Sequence, residues 1–456
     1  MAGERQGTAL AVLFAGVLMA ALDIAIVGPA LPAVRAAFDV GARSLPAVFS
    51  VYVLFYLLGT PLLAKRSDRM GRRRVFVESL ALFGIGSLIV ASAWSFSVLL
   101  VGRAIQAFGA GGLLPVAAAV IADTVPIERR GRTLGLIGAV FGLAFLLGPL
   151  LGGLLLPWSW RSLFVVNVPV AVVLIGLGAR VLPGAARGDP APFDAAGTLL
   201  LAAMLAALVI GLGQIDTTAL PASLASLRVW PFLLLLAVSA WGLWAVERRA
   251  ADPVIPPELL GRPQLRVVGG IALAVGAVEA GMVFLPDLAV LNFDVDAATA
   301  SLTMLPLVLT LAVGAPLAGW LLDRYGPRYV VQGGLVLTTV GLALLALAPL
   351  DWASFYGSGA LVGLGMSALL GAPLRYIALQ EAGEGRRAAG QGLLTLCVSV
   401  GQLVGAAAVG GIAGSASQAL LGYRDSLLAV AGATAFALVL SVALRGRVLP
   451  NTAHGA

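Results

Sequence analysis

Along most of the chain, apolar residues run for eighteen or more positions before a cluster of Arg, Asp, Pro or Gly interrupts them. The runs fall at roughly 9–34, 44–64, 74–93, 96–122, 133–156, 162–182, 196–213, 229–247, 267–291, 298–322, 328–349, 353–379, 388–413 and 425–444. At 1.5 Å per residue each one reaches across a hydrocarbon core of about 30 Å. Lipid supplies no hydrogen bonds, so a spanning backbone must satisfy its own groups within the segment. The pattern therefore predicts an all-α integral membrane protein with fourteen helices. One position breaks it early. Asp23 in "MAALDIAIVGPALPAV" lies about 14 residues into the first run, roughly 21 Å deep. An acid there costs at least about 2.5–3.5 kcal/mol, so its presence calls for a reason.

Composition sharpens this picture. The chain is 60% hydrophobic and 11% charged, far more apolar than a soluble core of 456 residues needs. The formal net charge of +7 would suit a nucleic-acid partner, but placement says otherwise. With an even number of crossings, 23 basic residues fall in the loops on the side of the termini and 5 on the opposite side, Arg103 alone lying inside a helix. That bias puts both termini in the cytoplasm and makes the excess charge topological. The tryptophans fall near the expected interfaces. Cys397 and His454, each the sole residue of its kind, exclude an internal disulfide and argue against a metal site. The N-terminal run is too long for a signal-peptide core and is expected to stay as the first helix.

The chain also repeats itself. "RSDRMGRRRV" follows span two and "LLDRYGPRYV" follows span ten, giving Asp68-Arg69-Met70-Gly71-Arg72 and Asp323-Arg324-Tyr325-Gly326-Pro327. Both predict a tight inter-helix turn, with Gly supplying the sharp backbone and Asp capping a helix or pairing with arginine. Span four ("GAGGLLPVAAA") likewise answers span twelve ("GLGMSALLGAP"), and the glycine-rich spans five and thirteen correspond. Small residues at this spacing let helices approach closely. Corresponding features lie eight spans apart, so two helices, 196–213 and 229–247, are inserted between two six-helix halves. The expected domains are 1–182, an insert over 183–264, 265–445, and a tail from 446.

With these motifs in view, the sequence resembles the major facilitator superfamily, and specifically its fourteen-span drug:proton antiporter family. "LDIAIVGPALPAV" is similar to that family's first-helix motif. "GRAIQAFGAGG" resembles motif B through Arg103 and Gln106, and "GLAFLLGPLLGGLL" resembles the antiporter motif C through Gly148, Pro149, Gly152 and Gly153. Ala25, Gly28, Ala64 and Ala107 depart from the usual residues of these motifs. The resemblance implies two helical bundles that alternate access to a central site, with the two Asp-Arg-x-Gly turns and motif C serving conformational exchange.

The charges within the helices suggest the chemistry. Proton coupling needs a group that is charged in one state and neutral in another. Burial penalises the charged form and a nearby cation favours it, so motion between the two settings moves a proton. Asp23, Arg103 and Glu279 are the candidates for coupling, and Asp23, Gln106, Glu279, Asp287 and Gln402 for contact with substrate. Each has a plainer alternative. Asp23 and Arg103 would also serve as a permanent ion pair, Asp287 as an interface residue, and the glutamines as contacts between helices. Glu78 is expected to form a structural salt bridge with the basic cluster before it. The expected function is a proton-driven antiporter exporting hydrophobic small molecules, cationic ones included, from a multi-pass position in the plasma membrane. An importer of a metabolite and a lipid transporter remain as alternatives on the same fold. No P-loop or HExxH supports a nucleotide-driven pump or an intramembrane enzyme. The expected partners are substrate, protons and the bilayer, with no cofactor beyond the proton gradient, and the expected state is a monomer.

Overall fold

A computed structural model describes residues 2–182, 195–249 apart from positions 217, 218, 220, 221 and 224, then 257–382 and 387–445. The 183–194, 250–256 and 383–386 segments and the tail from 446, with Arg187, Arg386, Arg447 and His454, lie outside the described residues. The helices are α1 (Ala2–Phe38), α2 (Ala47–Met70), α3 (Arg72–Ala91), α4 (Phe96–Thr124), α5 (Ile127–Leu155), α6 (Ser162–Val165), α7 (Asn167–Val181), α8 (Ala195–Gly213), α9 (Trp230–Glu247), α10 (Pro257–Leu260), α11 (Pro263–Met282), α12 (Leu285–Phe293), α13 (Ala297–Leu302), α14 (Leu305–Tyr325), α15 (Pro327–Leu347), α16 (Trp352–Leu370), α17 (Ala372–Ala382), α18 (Arg387–Ser415) and α19 (Ala419–Ser441). Thirteen segments among the described residues are long and apolar enough to cross a membrane, and α5 adds the shorter apolar stretch Leu143–Leu155. Each coincides with an apolar run read from the sequence.

Four of the runs are broken rods rather than single helices. Asn167–Val181, Leu285–Phe293, Leu305–Tyr325 and Ala372–Ala382 each begin a second piece, and each carries a proline in its first turn: Pro169, Pro286, Pro306 and Pro373. Proline has no N–H to give the preceding turn, and it is tolerated where helical N–H groups are unpaired anyway. Side chains cap several exposed ends. The Ser95 hydroxyl accepts the Val98 N–H, and Asp351 and Ser354 form a reciprocal capping box.

The chain forms two compact units. One comprises Met1–Val254, Ala280–Leu305 and Leu403–Tyr423; the other comprises Ile255–Glu279, Pro306–Gln402 and Arg424–Ala456. In the first, α4 packs against α2 and α3 at glycines. A Cβ on Gly109 would meet the Ser79 carbonyl oxygen at 2.6 Å, and one on Gly111 the Tyr56 carbonyl oxygen at 2.7 Å. Around them lies a core that includes Leu13, Phe76, Phe83 and Leu113. In the second unit α16 meets α14 and α15 in the same manner, Gly363 against the Leu307 backbone and Gly365 against Thr338 and Gly334. The eight-span repeat is therefore also a repeat of helix crossings: α2, α3 and α4 correspond to α14, α15 and α16. The inserted pair α8 and α9 pack on each other, and α8 also touches α2.

Candidate functional site

Asp23 has no solvent exposure, and neither have Arg103 and Gln106. The Arg103 Nη1 donates to Asp23 Oδ2 at 2.5 Å and to Gln106 Oε1 at 2.7 Å. Gln106 Nε2 in turn donates to Asp23 Oδ1 and to Ser87 Oγ, each at 2.7 Å, and Asn167 Nδ2 donates to Asp23 Oδ1 at 3.3 Å. Four helices thus converge on one carboxylate: α1 brings the acid, α4 the arginine and glutamine, α3 the serine and α7 the asparagine. The three-residue spacing of Arg103 and Gln106 puts both on one face of α4. Tyr52 of α2 completes the enclosure, its ring centroid 4.1 Å from the Arg103 guanidinium carbon. That distance is a cation–π contact. Two groups in this closed space, Arg103 Nη2 and the Tyr52 hydroxyl, are buried with no hydrogen-bond partner among the described residues.

The other candidates have partners of their own. Glu279 on α11 is half-buried and, among the described residues, takes one hydrogen bond of 3.0 Å, from Gln402 Nε2 on α18. Asp287 on α12 is buried and pairs with Arg35 of α1 at 2.9 Å. Gln106, read from the sequence as a contact with substrate or with a facing helix, bonds to Asp23 and Ser87. Asn167, Ser87 and Tyr52 do not stand out in the sequence, where Asn167 sits in the stretch "SWRSLFVVNVPV" after span five.

Motif C lies where α5 approaches α1 and α13. A Cβ on Gly148 would come within 2.7 Å of the Ala25 Cβ; one on Gly152 would come within 2.7 Å of the Pro29 Cβ and closer still to the Ser301 hydroxyl. Gly153 faces Leu302, and the Ser301 hydroxyl donates to the Pro149 carbonyl at 2.8 Å. Helices from early and late in the chain close together here because no side chain separates them. Elsewhere, Arg43, just before α2, donates to the Ser415 hydroxyl at the end of α18, 3.1 Å away.

Both Asp-Arg-x-Gly turns place glycine in the left-handed region, Gly71 at φ 91° and Gly326 at φ 82°. That conformation is costly for a residue with a Cβ. Their charges differ in use. Arg72 pairs with Asp68, donates to the Ser67 hydroxyl at 2.7 Å and reaches Asp123 of α4 at 3.3 Å, so it ties the turn to a third helix. Pro327 stands at the matching position of the second turn, where Arg324 instead lies over the Trp320 and Tyr325 rings. Arg69 is exposed, and a small cavity of about 120 Å³ beside the second turn is lined by Asp323 and Gly326 among others. Glu78 forms the expected salt bridges, to Arg66 at 2.8 Å and to Arg74 at 3.0 Å.

Against known proteins, the chain matches the family model described as Major Facilitator Superfamily over residues 13–289 and 267–455. It is 32% identical over 465 residues to the puromycin resistance protein pur8 of Streptomyces alboniger, covering 98% of this chain and 90% of that protein. It is also 32% identical, over 421 residues, to a triacylglyceride transporter of Mycobacteroides abscessus, covering 87% of this chain and 80% of the relative. Among solved structures, a bacterial homolog of the human lysosomal transporter Spinster superposes with a TM-score of 0.69 at 17% identity, over 96% of each chain. The nucleoside transporter NupG does so with 0.68 at 13% identity, over 96% of this chain and 99% of that one.

Proposed function

The chain belongs to the Major Facilitator Superfamily, a family of membrane transporters and not of enzymes, and from that premise we propose that it is a proton-coupled antiporter exporting hydrophobic small molecules, cationic ones included. It crosses the plasma membrane fourteen times with both termini in the cytoplasm, and residues 1–182 and 265–445 act as two six-helix bundles, with the inserted α8 and α9 contributing nothing to the substrate site. The observation that carries this reading is the full enclosure of Asp23 with Arg103, Gln106 and Asn167. A buried ion pair is a poor way to gain stability, because desolvation offsets most of the attraction. Its use lies in being breakable. Movement of α1 relative to α4 takes the acid from a cationic setting to one without a cation, and its affinity for a proton changes with it.

Glu279 then takes the substrate-facing role. Among the described residues it has one amide partner at hydrogen-bond distance and no ion pair, and it is partly exposed, so a cationic substrate can meet its carboxylate. Gln402 orients it. Asp287 serves instead to hold α12 against α1 through Arg35, together with motif C at Pro149 and Ser301. Export of this kind fits relatives that include a puromycin resistance protein and the multidrug transporter protein MdtP of Bacillus subtilis. A second reading, transport of an apolar lipid, is favoured by the triacylglyceride transporters among the relatives.

Proteoliposomes distinguish them. With a pH gradient and no ATP, wild-type protein should move protons when a hydrophobic cation such as an amphiphilic dye is supplied. Asp23→Asn, which keeps the shape and some hydrogen bonding but fixes the charge at zero, should insert normally and lose gradient-driven accumulation. Proton coupling that survives in Asp23→Asn would move the proton site to Glu279. Lipid movement with no response to the gradient would favour the second reading.

A further inference from the structure

We propose that the membrane-facing groove between α2 and α3, at the end of the molecule carrying the first Asp-Arg-x-Gly turn, is a binding site for one anionic phospholipid. The groove has a volume of about 770 Å³. Leu62, Lys65, Arg66 and Arg69 line it from α2, Glu78, Leu82 and Ile85 from α3, and Phe108 of α4 forms its floor. On each helix these positions recur at three- and four-residue spacing, so each presents one continuous stripe to the groove.

The two ends of the groove differ in chemistry. Three cations and one carboxylate form the rim, an excess of two positive charges beside a membrane interface. Glu78 is already engaged by Arg66 and Arg74, while Arg69 is exposed. From Glu78 to Ile85 is seven residues, so the apolar part runs roughly 10 Å into the hydrocarbon along α3. Ile85 is 53% exposed there. A phosphate at the rim with its acyl chain on Leu82, Ile85 and Phe108 satisfies both ends. Basic pockets between helices at the interface are suited to anionic head groups in this way.

The internal repeat argues that the rim is more than the usual positive turn. In the second copy, Trp320 and Leu321 stand where the first has Lys65 and Arg66, and Gly333 stands where it has Glu78. Arg69 alone keeps its counterpart, Arg324. The turn therefore needs only the one arginine at this rim, and the extra charges belong to the groove.

The test places a bimane probe just beyond the groove at Leu88→Cys, or in the matching helix of the second copy at Leu344→Cys, both in a Cys397→Ser background. Leu88 and Leu344 are exposed, at 55% and 40%, and neither lines the groove. Nanodiscs would contain doxyl-labelled phosphatidylglycerol or doxyl-labelled phosphatidylcholine at equal mole fraction. Phosphatidylglycerol should occupy the groove in preference to phosphatidylcholine by roughly tenfold, read as excess quenching at the α3 probe and none at the α15 probe. Lys65→Gln with Arg69→Gln should abolish the excess while leaving the melting temperature unchanged. Equal quenching by the two lipids would overturn the proposal and leave an ordinary annular surface. An excess that persists in the double variant would overturn it as well, since the rim would then not be the reader of charge.

Discussion

Arg103 brings five N–H donors into a space closed to water, and Asp23, Gln106 and the Val48 carbonyl take only some of them. Removing the arginine alone leaves an acid enclosed by Tyr52, Ser87 and Asn167 with no counter-charge. Arg103→Ala should therefore destabilise the fold by about 3–5 kcal/mol, measured as the loss of folded protein in detergent melts. Pairing Arg103→Gln with Asp23→Asn removes both charges and should recover most of that loss while leaving transport uncoupled. Glu279→Gln is expected to behave differently. It keeps a partner for Gln402, so stability should hold, while affinity for cationic substrates falls and affinity for neutral ones does not. Equal loss for both classes, in binding assays with matched compounds, would exclude Glu279 as the cation contact. Charges stand out in an apolar run, which is why Asp23, Arg103 and Glu279 were legible from sequence. Asn167, Ser87 and Tyr52 were not, because a neutral polar side chain is common in any helix and its partner lies up to 144 residues away. Spacing along one helix reveals nothing about such a neighbour.

At the scale of elements, apolar runs predicted where helices lie but not where they break. Composition continues unchanged through Val166, Val283, Thr303 and Gly371. Proline by itself does not mark the breaks either, since Pro29, Pro32, Pro61, Pro115, Pro149 and Pro316 all sit inside unbroken helices. A proline inside a helix frees the carbonyl four residues before it, and a helix that continues past one relies on neighbouring groups that its own sequence does not display. The motif C glycines were legible as close-packing positions, whereas their opposite numbers Ala25, Pro29 and Ser301 needed the fold. Gly152→Ala should strain this seam, because the new methyl meets a proline ring carbon as well as a serine that can turn away. Overpacking of this order costs about 1–3 kcal/mol. In a Cys397→Ser background with Ala300→Cys, whose position is fully buried, the expected result is faster labelling by a membrane-impermeant maleimide. Unchanged labelling would mean the seam yields without opening.

For the whole molecule, the uneven distribution of basic residues leads to a topology that can be tested directly. A reporter fused after Arg445 should be active on the cytoplasmic side, and scanning with single cysteines should give an even number of crossings. An odd count, or a C-terminal reporter active only outside the cell, would refute the proposed orientation. The repeat of helix crossings was legible from "GAGGLLPVAAA" and "GLGMSALLGAP". The grouping of Ala280–Leu305 and Leu403–Tyr423 with the first half of the chain was not, because no local pattern announces contacts made hundreds of residues away.

That grouping sets a timetable for the ribosome. Asp23 and Arg103 are 80 residues apart, so at about 5–20 residues per second the acid is made some 4–16 seconds before its arginine. Arg35 waits longer. Its partner Asp287 is 252 residues downstream, a delay of roughly 13–50 seconds during which one end of α1 has no counter-charge from α12. The interior cluster can therefore assemble from early-made helices alone, while the seam at Arg35, Pro149 and Ser301 closes only as the second half of the chain is inserted. A nascent chain stalled before residue 280 would hold its buried acid already paired and its outer seam still unmade.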